Sequence, residues 1–188
     1  KNTSAKAAAE IALYDLYAQY LDKPLYQALG AGIPRLLTDV TISVNDTATM
    51  IADCEAAIAR GFQALKIKVG KDLEGDFARL QSIRKAVNGR ASLRIDANQG
   101  WDADWTISTM KALEAEGDFF ELIEQPVPAH DLEGMIAIKA GIRTPLLADE
   151  SAFNLMQVKQ LAERAGADLI NIKLMKTGGL SQAIAIAD

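Results

Sequence analysis

The sequence is poor in the residues that build disulfides and zinc sites. Among its 188 residues there is one cysteine, Cys54, and one histidine. A single cysteine excludes an internal disulfide framework, and the scarcity of both residues disfavours zinc, which takes nitrogen and sulfur ligands. Cys54 lies in a helical pattern with no histidine near it in sequence. We therefore interpret it as a small core residue rather than a nucleophile.

Long apolar runs and basic runs are missing as well. No stretch approaches the ~18 uninterrupted apolar residues that indicate a membrane span. The formal net charge is −5, from 20 lysines and arginines against 25 aspartates and glutamates, so a nucleic-acid partner is not expected. The proportions of hydrophobic residues (49%) and charged residues (24%) are typical of a globular domain. We expect a cytoplasmic protein that binds a small molecule and neither a membrane nor a nucleic acid.

What the sequence does contain is a regular alternation of strand and helix patterns. A pattern of good helix formers comes first, and the connection GAGIPRLLTD after it predicts a domain boundary near residue 35. We assign residues 1–35 to the end of one domain and residues 36–188 to a second domain. Six strand patterns follow, each with a helical pattern after it: VTISV, ALKIKV, SLRIDA, FFELIE, TPLLAD and DLINIKL.

Charged residues end the last five strand patterns, at intervals of 24 to 28 residues: Lys68, Asp96, Glu124, Asp149 and Lys173. In an open doubly wound sheet such residues would lie along a line, whereas in a (β/α)8 barrel they would ring one mouth. Converging charges serve a single site, so we favour the TIM-type barrel. A complete barrel has eight strands, so six βα units predict a partial barrel and a chain that is a fragment. The alternate positions are predicted to pack beneath the helices: Ile67, Ile95, Ile123, Ala148 and Ile172.

Three of these charged residues are carboxylates on consecutive strands: Asp96, Glu124 and Asp149. Carboxylates that converge repel one another, so their burial together requires a cation or protons. Ligation by oxygen alone selects a hard ion, Mg²⁺ or Mn²⁺. Each carboxylate taken alone can instead cap a helix or pair with a lysine, but three in succession favour a metal site.

Two lysines bracket the three carboxylates in chain order. In a closed barrel the second and sixth strands lie across the mouth from each other, so Lys68 and Lys173 can approach one substrate carbon from opposite sides. With a metal to take the developing charge, this arrangement predicts removal of a proton α to a carboxylate. A lysine that acts as a base needs a depressed pKa, and we expect Lys66 and the metal to lower it.

The ordered motifs KIK, RIDANQGW, LIEQPVP, LADES and INIKLMKTGG resemble those of the enolase superfamily, in its muconate lactonizing branch. Within that branch, INIKLMKTGG and TISVN are most similar to the L-Ala-D/L-Glu and related dipeptide epimerases. The resemblance implies a TIM-type barrel, and it identifies residues 1–35, with KPLYQALG, as the end of an N-terminal capping domain. A lysine or histidine base with Mg²⁺ is an established arrangement of this superfamily.

The resemblance also implies a role for each site residue. Asp96, Glu124 and Asp149 would be the Mg²⁺ ligands, with Mn²⁺ as an alternative ion, and Lys68 and Lys173 the acid/base pair. Lys66 would assist electrostatically and help to hold the substrate carboxylate. Further substrate-binding residues near the metal are implied at Thr41, Asn98 and Glu150. The implied reaction is epimerisation of a dipeptide through an Mg²⁺-stabilised enolate, in which one lysine removes the α proton and the other returns it on the opposite face.

Other functions stay open at this point. A muconate-type cycloisomerase, an N-succinylamino acid racemase and an o-succinylbenzoate synthase would use the same ligands and lysines. An alternative of another class is a barrel fragment that binds metal without activity. Assembly into a homo-oligomer also stays open, because no sequence feature bears on it.

Overall fold

The structure is a computed structural model that describes residues 2–32, 36–117 and 119–188. The predicted domain boundary at residue 35 lies outside the described residues and stays a prediction. Within these residues, none of the helices combines the length and the apolar character needed to cross a membrane.

The described residues form six strands and the helices that follow them. The strands are β1 (Val40–Ile42), β2 (Ala64–Lys68), β3 (Ser92–Asp96), β4 (Phe120–Glu124), β5 (Leu146–Ala148) and β6 (Leu169–Ile170). The helices are α1 (Thr3–Tyr20), α2 (Leu25–Ala28), α3 (Thr47–Ala59), α4 (Leu73–Val87), α5 (Ala103–Ala115), α6 (Leu132–Gly141), α7 (Leu155–Glu163), α8 (Leu174–Thr177) and α9 (Leu180–Ala187).

The strands form one parallel sheet in the order β1-β2-β3-β4-β5-β6. Each strand therefore pairs with the strand that precedes it and the strand that follows it in sequence. A doubly wound sheet would reverse its strand order at a switch point, and this sheet does not. The order is that of consecutive strands in a (β/α)8 barrel, so the predicted barrel-type α/β architecture is confirmed for these six βα units.

Strand register aligns only some of the predicted ring of charges. Lys68 pairs with Asp96, and Asp96 pairs with Glu124, so these three residues lie side by side. Glu124 pairs with Leu147, which leaves Asp149 beyond the end of β5. Lys173 is farther out still, because β6 ends at Ile170. The expectation of one level ring is therefore wrong on the β5–β6 side.

The core lies between the sheet and the helices, largely as predicted. The aliphatic residues at alternate strand positions are fully buried on β2 to β5: Ile67, Ile95, Ile123 and Ala148. Ile172 is 37% exposed, so its predicted burial is wrong. The strand alternation does not reach Ile172, because pairing in β6 stops two residues earlier. Cys54 is fully buried in α3, which confirms its interpretation as a core residue.

The five helices from α3 to α7 begin in the same way. Each has an Asp or Asn N-cap whose side chain accepts a hydrogen bond from the main-chain N–H three residues later: Asp46, Asp72, Asp102, Asp131 and Asn154. A cap of this kind contributes about 1 kcal/mol to helix stability. Together the caps fix where each loop after a strand ends, and the charged residues described next lie at the strand ends and in these loops.

Candidate active site

Two of the predicted ligand carboxylates share one lysine. Asp96 and Glu124 are 1% and 3% exposed at the ends of β3 and β4. Lys66 Nζ lies 3.4 Å from Asp96 Oδ2 and 3.2 Å from Glu124 Oε2. Lys68 Nζ lies 2.8 Å from the same Asp96 oxygen. Asn171 Nδ2 donates to Glu124 Oε1 at 2.9 Å, so two lysines and an asparagine converge on these two carboxylates.

The third carboxylate, Asp149, has two different lysines as partners. Lys173 donates to Asp149 Oδ2, and its side chain is 42% exposed. Lys176 donates to Asp149 Oδ1 at 2.6 Å, and this lysine is only 5% exposed. The sequence interpretation missed Lys176. The motif INIKLMKTGG contained the signal, because Lys176 follows Lys173 by three residues and so lies on the same face of a helical turn.

The pKa values follow from this pairing. Burial raises the pKa of Glu124, and the charge of Asp96 adds to it. Burial would also raise the pKa of Asp149, but hydrogen bonds from Lys173 and Lys176 outweigh it and lower that pKa. For Lys66 and Lys173, burial would lower the pKa, but nearby carboxylates outweigh it and raise the pKa of both. While Asp149 pairs with Lys173, the pKa of this acid/base lysine is thus raised, and the depression expected beside a metal ion stays a prediction.

The other predicted substrate-binding residues lie around Lys68. Asn98 Oδ1 accepts a hydrogen bond from Lys68, and Asn98 Nδ2 lies 3.5 Å from Glu150 Oε1. Glu150 Oε2 is buried without a hydrogen-bond partner in the part of the chain that the structure describes. Thr41 is exposed on β1 and lines a cavity of about 360 Å³ together with Lys68 and Asn98. The structure thus brings Asn98 and Glu150 together and places Thr41 beside the same mouth.

Gln125, which the sequence interpretation also missed, joins the loops after β4 and β5. It is fully buried with φ of 34°, a left-handed conformation that costs free energy for a residue other than glycine. Gln125 Oε1 accepts from the main-chain N–H groups of Asp149 (2.9 Å) and Ser151 (3.0 Å). Gln125 Nε2 donates to the Val127 carbonyl at 2.9 Å and to the Ser151 hydroxyl at 2.8 Å. The position of Gln125 relative to Asp149 is set by the fold, and no local sequence pattern indicates it.

A second buried residue, Asp76 on α4, joins the loops after β2 and β3. Its carboxylate accepts hydrogen bonds from Gly70 N (2.7 Å) and Trp101 Nε1 (3.1 Å). Gly70 has φ of 96°, and a Cβ added there would lie 2.3 Å from the carbonyl oxygen of Ala97. The two backbones touch at this point, so the position requires glycine.

The donor set fits a hard divalent cation in its chemistry. Within the described ranges no three Asp, Glu, His or Cys side chains stand close enough to hold an ion, and lysines pair with the three predicted ligand carboxylates. All the buried anionic donors at the mouth are oxygens, as Mg²⁺ prefers. Burial raises the pKa of Glu124, and Glu150 Oε2 has no hydrogen-bond partner among the described residues, so a cation at either oxygen would offset a cost of burial. Lys66, Lys68 and Lys173 have side chains 18%, 27% and 42% exposed, so they have room to move aside.

Comparison with known proteins relates this arrangement to a family. The model of a family described as enolase C-terminal domain-like matches residues 49–188. The L-Ala-D/L-Glu epimerase of Clostridium acetobutylicum is 48% identical over 185 residues, which cover 98% of this chain and 52% of that protein.

Solved structures of similar proteins share the fold. A substrate-liganded complex of the L-Ala-D/L-Glu epimerase from Bacillus subtilis has a TM-score of 0.94 at 49% identity, over 98% of this chain and 52% of that one. The dipeptide epimerase from Enterococcus faecalis complexed with Mg and L-Leu-L-Tyr has a TM-score of 0.94 at 40% identity, over 99% and 52% of the two chains.

The chain spans about half the length of the curated relatives it matches. The family match covers most of the chain and includes every predicted site residue except Thr41. The chain belongs to the enolase C-terminal domain-like family, which confirms the predicted enolase-superfamily resemblance.

Proposed function

We propose that this chain carries the metal ligands and the acid/base lysines of a dipeptide epimerase that acts on L-Ala-D/L-Glu or a related dipeptide. The observation that carries the proposal is the placement of two partly exposed lysines, each paired with one of the buried carboxylates at the strand ends. Lys68 contacts Asp96 on β3, whereas Lys173 contacts Asp149 beyond β5. The epimerases named above support the reaction class and substrate class.

The two lysines would each transfer a proton, on opposite faces of the substrate Cα. Their side chains are 27% and 42% exposed, whereas the carboxylates that pair with them, Asp96 and Asp149, are buried. One amine would remove the proton from the substrate Cα, and the other would return a proton to the opposite face, which inverts the centre. Lys173 must first separate from Asp149, because a carboxylate partner favours the charged amine.

The remaining residues would bind and orient the substrate. A divalent cation held by Asp96, Glu124 and Asp149 would stabilise negative charge as it develops on the substrate carboxylate. Lys66, which bridges Asp96 and Glu124, would add a positive charge next to that carboxylate. Asn98 would orient Lys68 through the hydrogen bond between them. The cavity lined by Thr41 would receive part of the dipeptide.

Magnesium is the ion that the similar structures support, because three dipeptide epimerases among them are described as complexed with Mg. Manganese is the second ion to test, since it takes the same hard oxygen ligands.

The proposal is tested by incubating the folded chain with L-Ala-L-Glu and Mg²⁺ in D₂O. Proton NMR should show loss of the glutamate Cα signal, and chiral chromatography should show L-Ala-D-Glu. Lys139→Met is the matched control, because Lys139 pairs with Asp168 at 2.5 Å on an outer helix away from the mouth and should leave turnover unchanged. Absence of exchange from both epimers by the folded, metal-loaded chain would contradict the proposal for this chain.

Two further substrates separate the reaction from its relatives within the superfamily. Muconolactone and an N-succinylamino acid should be turned over far more slowly than the dipeptide. If either one is the better substrate, proton abstraction stands and the dipeptide assignment is wrong.

A further inference from the structure

Lys176 is a buried lysine to which the proposed reaction gives no role. It lies on α8 and is 5% exposed. A buried ammonium group is costly unless its charge is paired and its three N–H donors are satisfied. Lys176 Nζ has three acceptors, which are Asp149 Oδ1 (2.6 Å), the Asp149 carbonyl (2.6 Å) and the Asn171 carbonyl (2.7 Å). Every donor of the amine is therefore used.

These contacts fix Asp149 on several sides. Its main-chain N–H donates to the buried Gln125 side chain, and its carbonyl and Oδ1 both accept from Lys176. The remaining oxygen, Oδ2, accepts from Lys173, whose side chain is 42% exposed. Asp149 thus has one carboxylate oxygen held from inside the protein and one that faces the mouth.

We propose that Lys176 is a positioning residue that holds Asp149 Oδ1 so that Oδ2 is presented to a divalent cation at the mouth. This inference rests on the proposed function, because it assumes that Asp149 is a metal ligand. The two lysines that contact Asp149 then have different roles. Lys176 holds the carboxylate permanently, whereas Lys173 is the exchangeable partner that gives up Oδ2.

Because Lys176 is charged, the direction in which cation affinity changes on its removal tests this inference. As a positive charge near the ion, Lys176 weakens cation binding by Coulomb repulsion, so its removal should strengthen binding if electrostatics dominate. If orientation of Asp149 dominates, its removal should weaken binding. Loss of a residue that orients a metal-ligating side chain by hydrogen bonding typically changes metal affinity by about 10–100-fold. We expect orientation to win, because Lys176 uses two further bonds to lock the loop that carries Asp149.

The experiment titrates the folded chain with Mn²⁺ by isothermal calorimetry. Lys176→Met should weaken Mn²⁺ binding about 10–100-fold, while Lys176→Arg, which keeps the charge and several donors, should recover much of the loss. Lys139→Met, which removes a lysine with a 31% exposed side chain from its pair with Asp168, should bind Mn²⁺ like the parent chain. A folded Lys176→Met chain with unchanged or tighter binding would overturn the inference, and so would absence of Mn²⁺ binding by the parent chain.

A second measurement needs no variant and tests the proposed role of Lys176 if Lys176→Met does not fold. Amine labelling of the parent chain with acetic anhydride, read by mass spectrometry, should modify Lys173 much faster than Lys176. Added Mn²⁺ should speed the labelling of Lys173 and leave Lys176 protected. Equal labelling of the two lysines, or exposure of Lys176 by Mn²⁺, would overturn the inference. Neither assay measures turnover, so failure of the epimerase proposal alone would leave both results interpretable.

Discussion

The β2–β4 part of the sheet and the β5–β6 part position their charged residues in different ways. On β2, β3 and β4, five-residue strands place Lys68, Asp96 and Glu124 side by side through main-chain register. On β5 and β6, strands of three and two residues stop short of Asp149 and Lys173. Side-chain hydrogen bonds take over there, because the residues that matter lie outside the strands.

The difference shows that one site can be built by two kinds of support. Register is a property of the whole sheet and resists any single substitution. Side-chain support on the β5–β6 side rests mainly on two buried residues, Gln125 and Lys176, and each makes several hydrogen bonds. We therefore expect that side to be the more sensitive to point substitutions.

The largest effect should come from removing either acid/base lysine. Lys68→Met and Lys173→Met should each lower the rate of epimerisation by about 10²–10⁴-fold, the usual contribution of a positioned general acid or base. Both residues are partly exposed, so the chain should stay folded by circular dichroism. Retention of full epimerisation by either variant would remove that lysine from the pair.

Loss of side-chain support should destabilise the β5–β6 side. Gln125→Leu leaves the buried N–H groups of Asp149 and Ser151 without their acceptor, and we expect a loss of about 2–4 kcal/mol in the free energy of unfolding. Urea denaturation measures it. The control is Gln160→Leu on the exposed surface of α7, which should change stability little. Equal stability of the two variants would show that Gln125 does not support the loop.

On the β2–β4 side, the close approach of the backbones at Gly70 and Ala97 predicts a smaller loss in the free energy of unfolding. Gly70 and Gly61 have similar φ values, 96° and 91°, but only at Gly70 would an added Cβ meet another atom within 4 Å. Gly61→Ala measures the cost of the left-handed conformation alone. We expect Gly70→Ala to lose a further ~1–3 kcal/mol from overpacking against Ala97. Equal losses in the two variants would mean that the loops after β2 and β3 are free to separate.

Thiol accessibility should distinguish the two sides without changing stability. Burial raises the pKa of the Cys54 thiol to about 11, with the charges of Asp53 and Glu55 adding to it, so little thiolate forms at neutral pH. Iodoacetamide should leave native Cys54 unmodified. A second cysteine in Ile172→Cys, at a position 37% exposed, should react quickly. Fast reaction of Cys54 in the native chain would show that the core beneath α3 opens readily.

The folded-state pKa of Cys54 also has a consequence for stability. A raised pKa in the folded state means that the protonated thiol favours folding. This contribution is present below the usual thiol pKa of 9.0 and is lost as the pH rises toward 11. Unfolding at alkaline pH should therefore become easier across that window, and a chain with Cys54→Ala should lack this part of the pH dependence.

Sequence patterns predicted the parts of the site that depend on local structure. The alternation along each strand identified the inward charges on β2 to β4, because the register of adjacent parallel strands places equivalent residues side by side. It failed at Ile172, since a two-residue strand cannot extend its alternation. Gln125 and Asp76 were missed because their partners are far away in sequence or belong to loops. Lys176 was missed although INIKLMKTGG places it one helical turn after Lys173, because its carboxylate partner Asp149 lies 27 residues away. The raised pKa of Lys173 depends on its contact with Asp149, which no local pattern reveals.

The central claim is that Lys68 and Lys173 act on opposite faces of one carbon, and deuterium exchange from single epimers tests it most directly. Lys68→Met and Lys173→Met, each loaded with Mg²⁺ in D₂O, are given L-Ala-L-Glu and L-Ala-D-Glu separately. We expect complementary results, in which each variant exchanges the Cα proton of only one epimer and the two variants differ in which epimer that is. Exchange of the same epimer by both variants would contradict it.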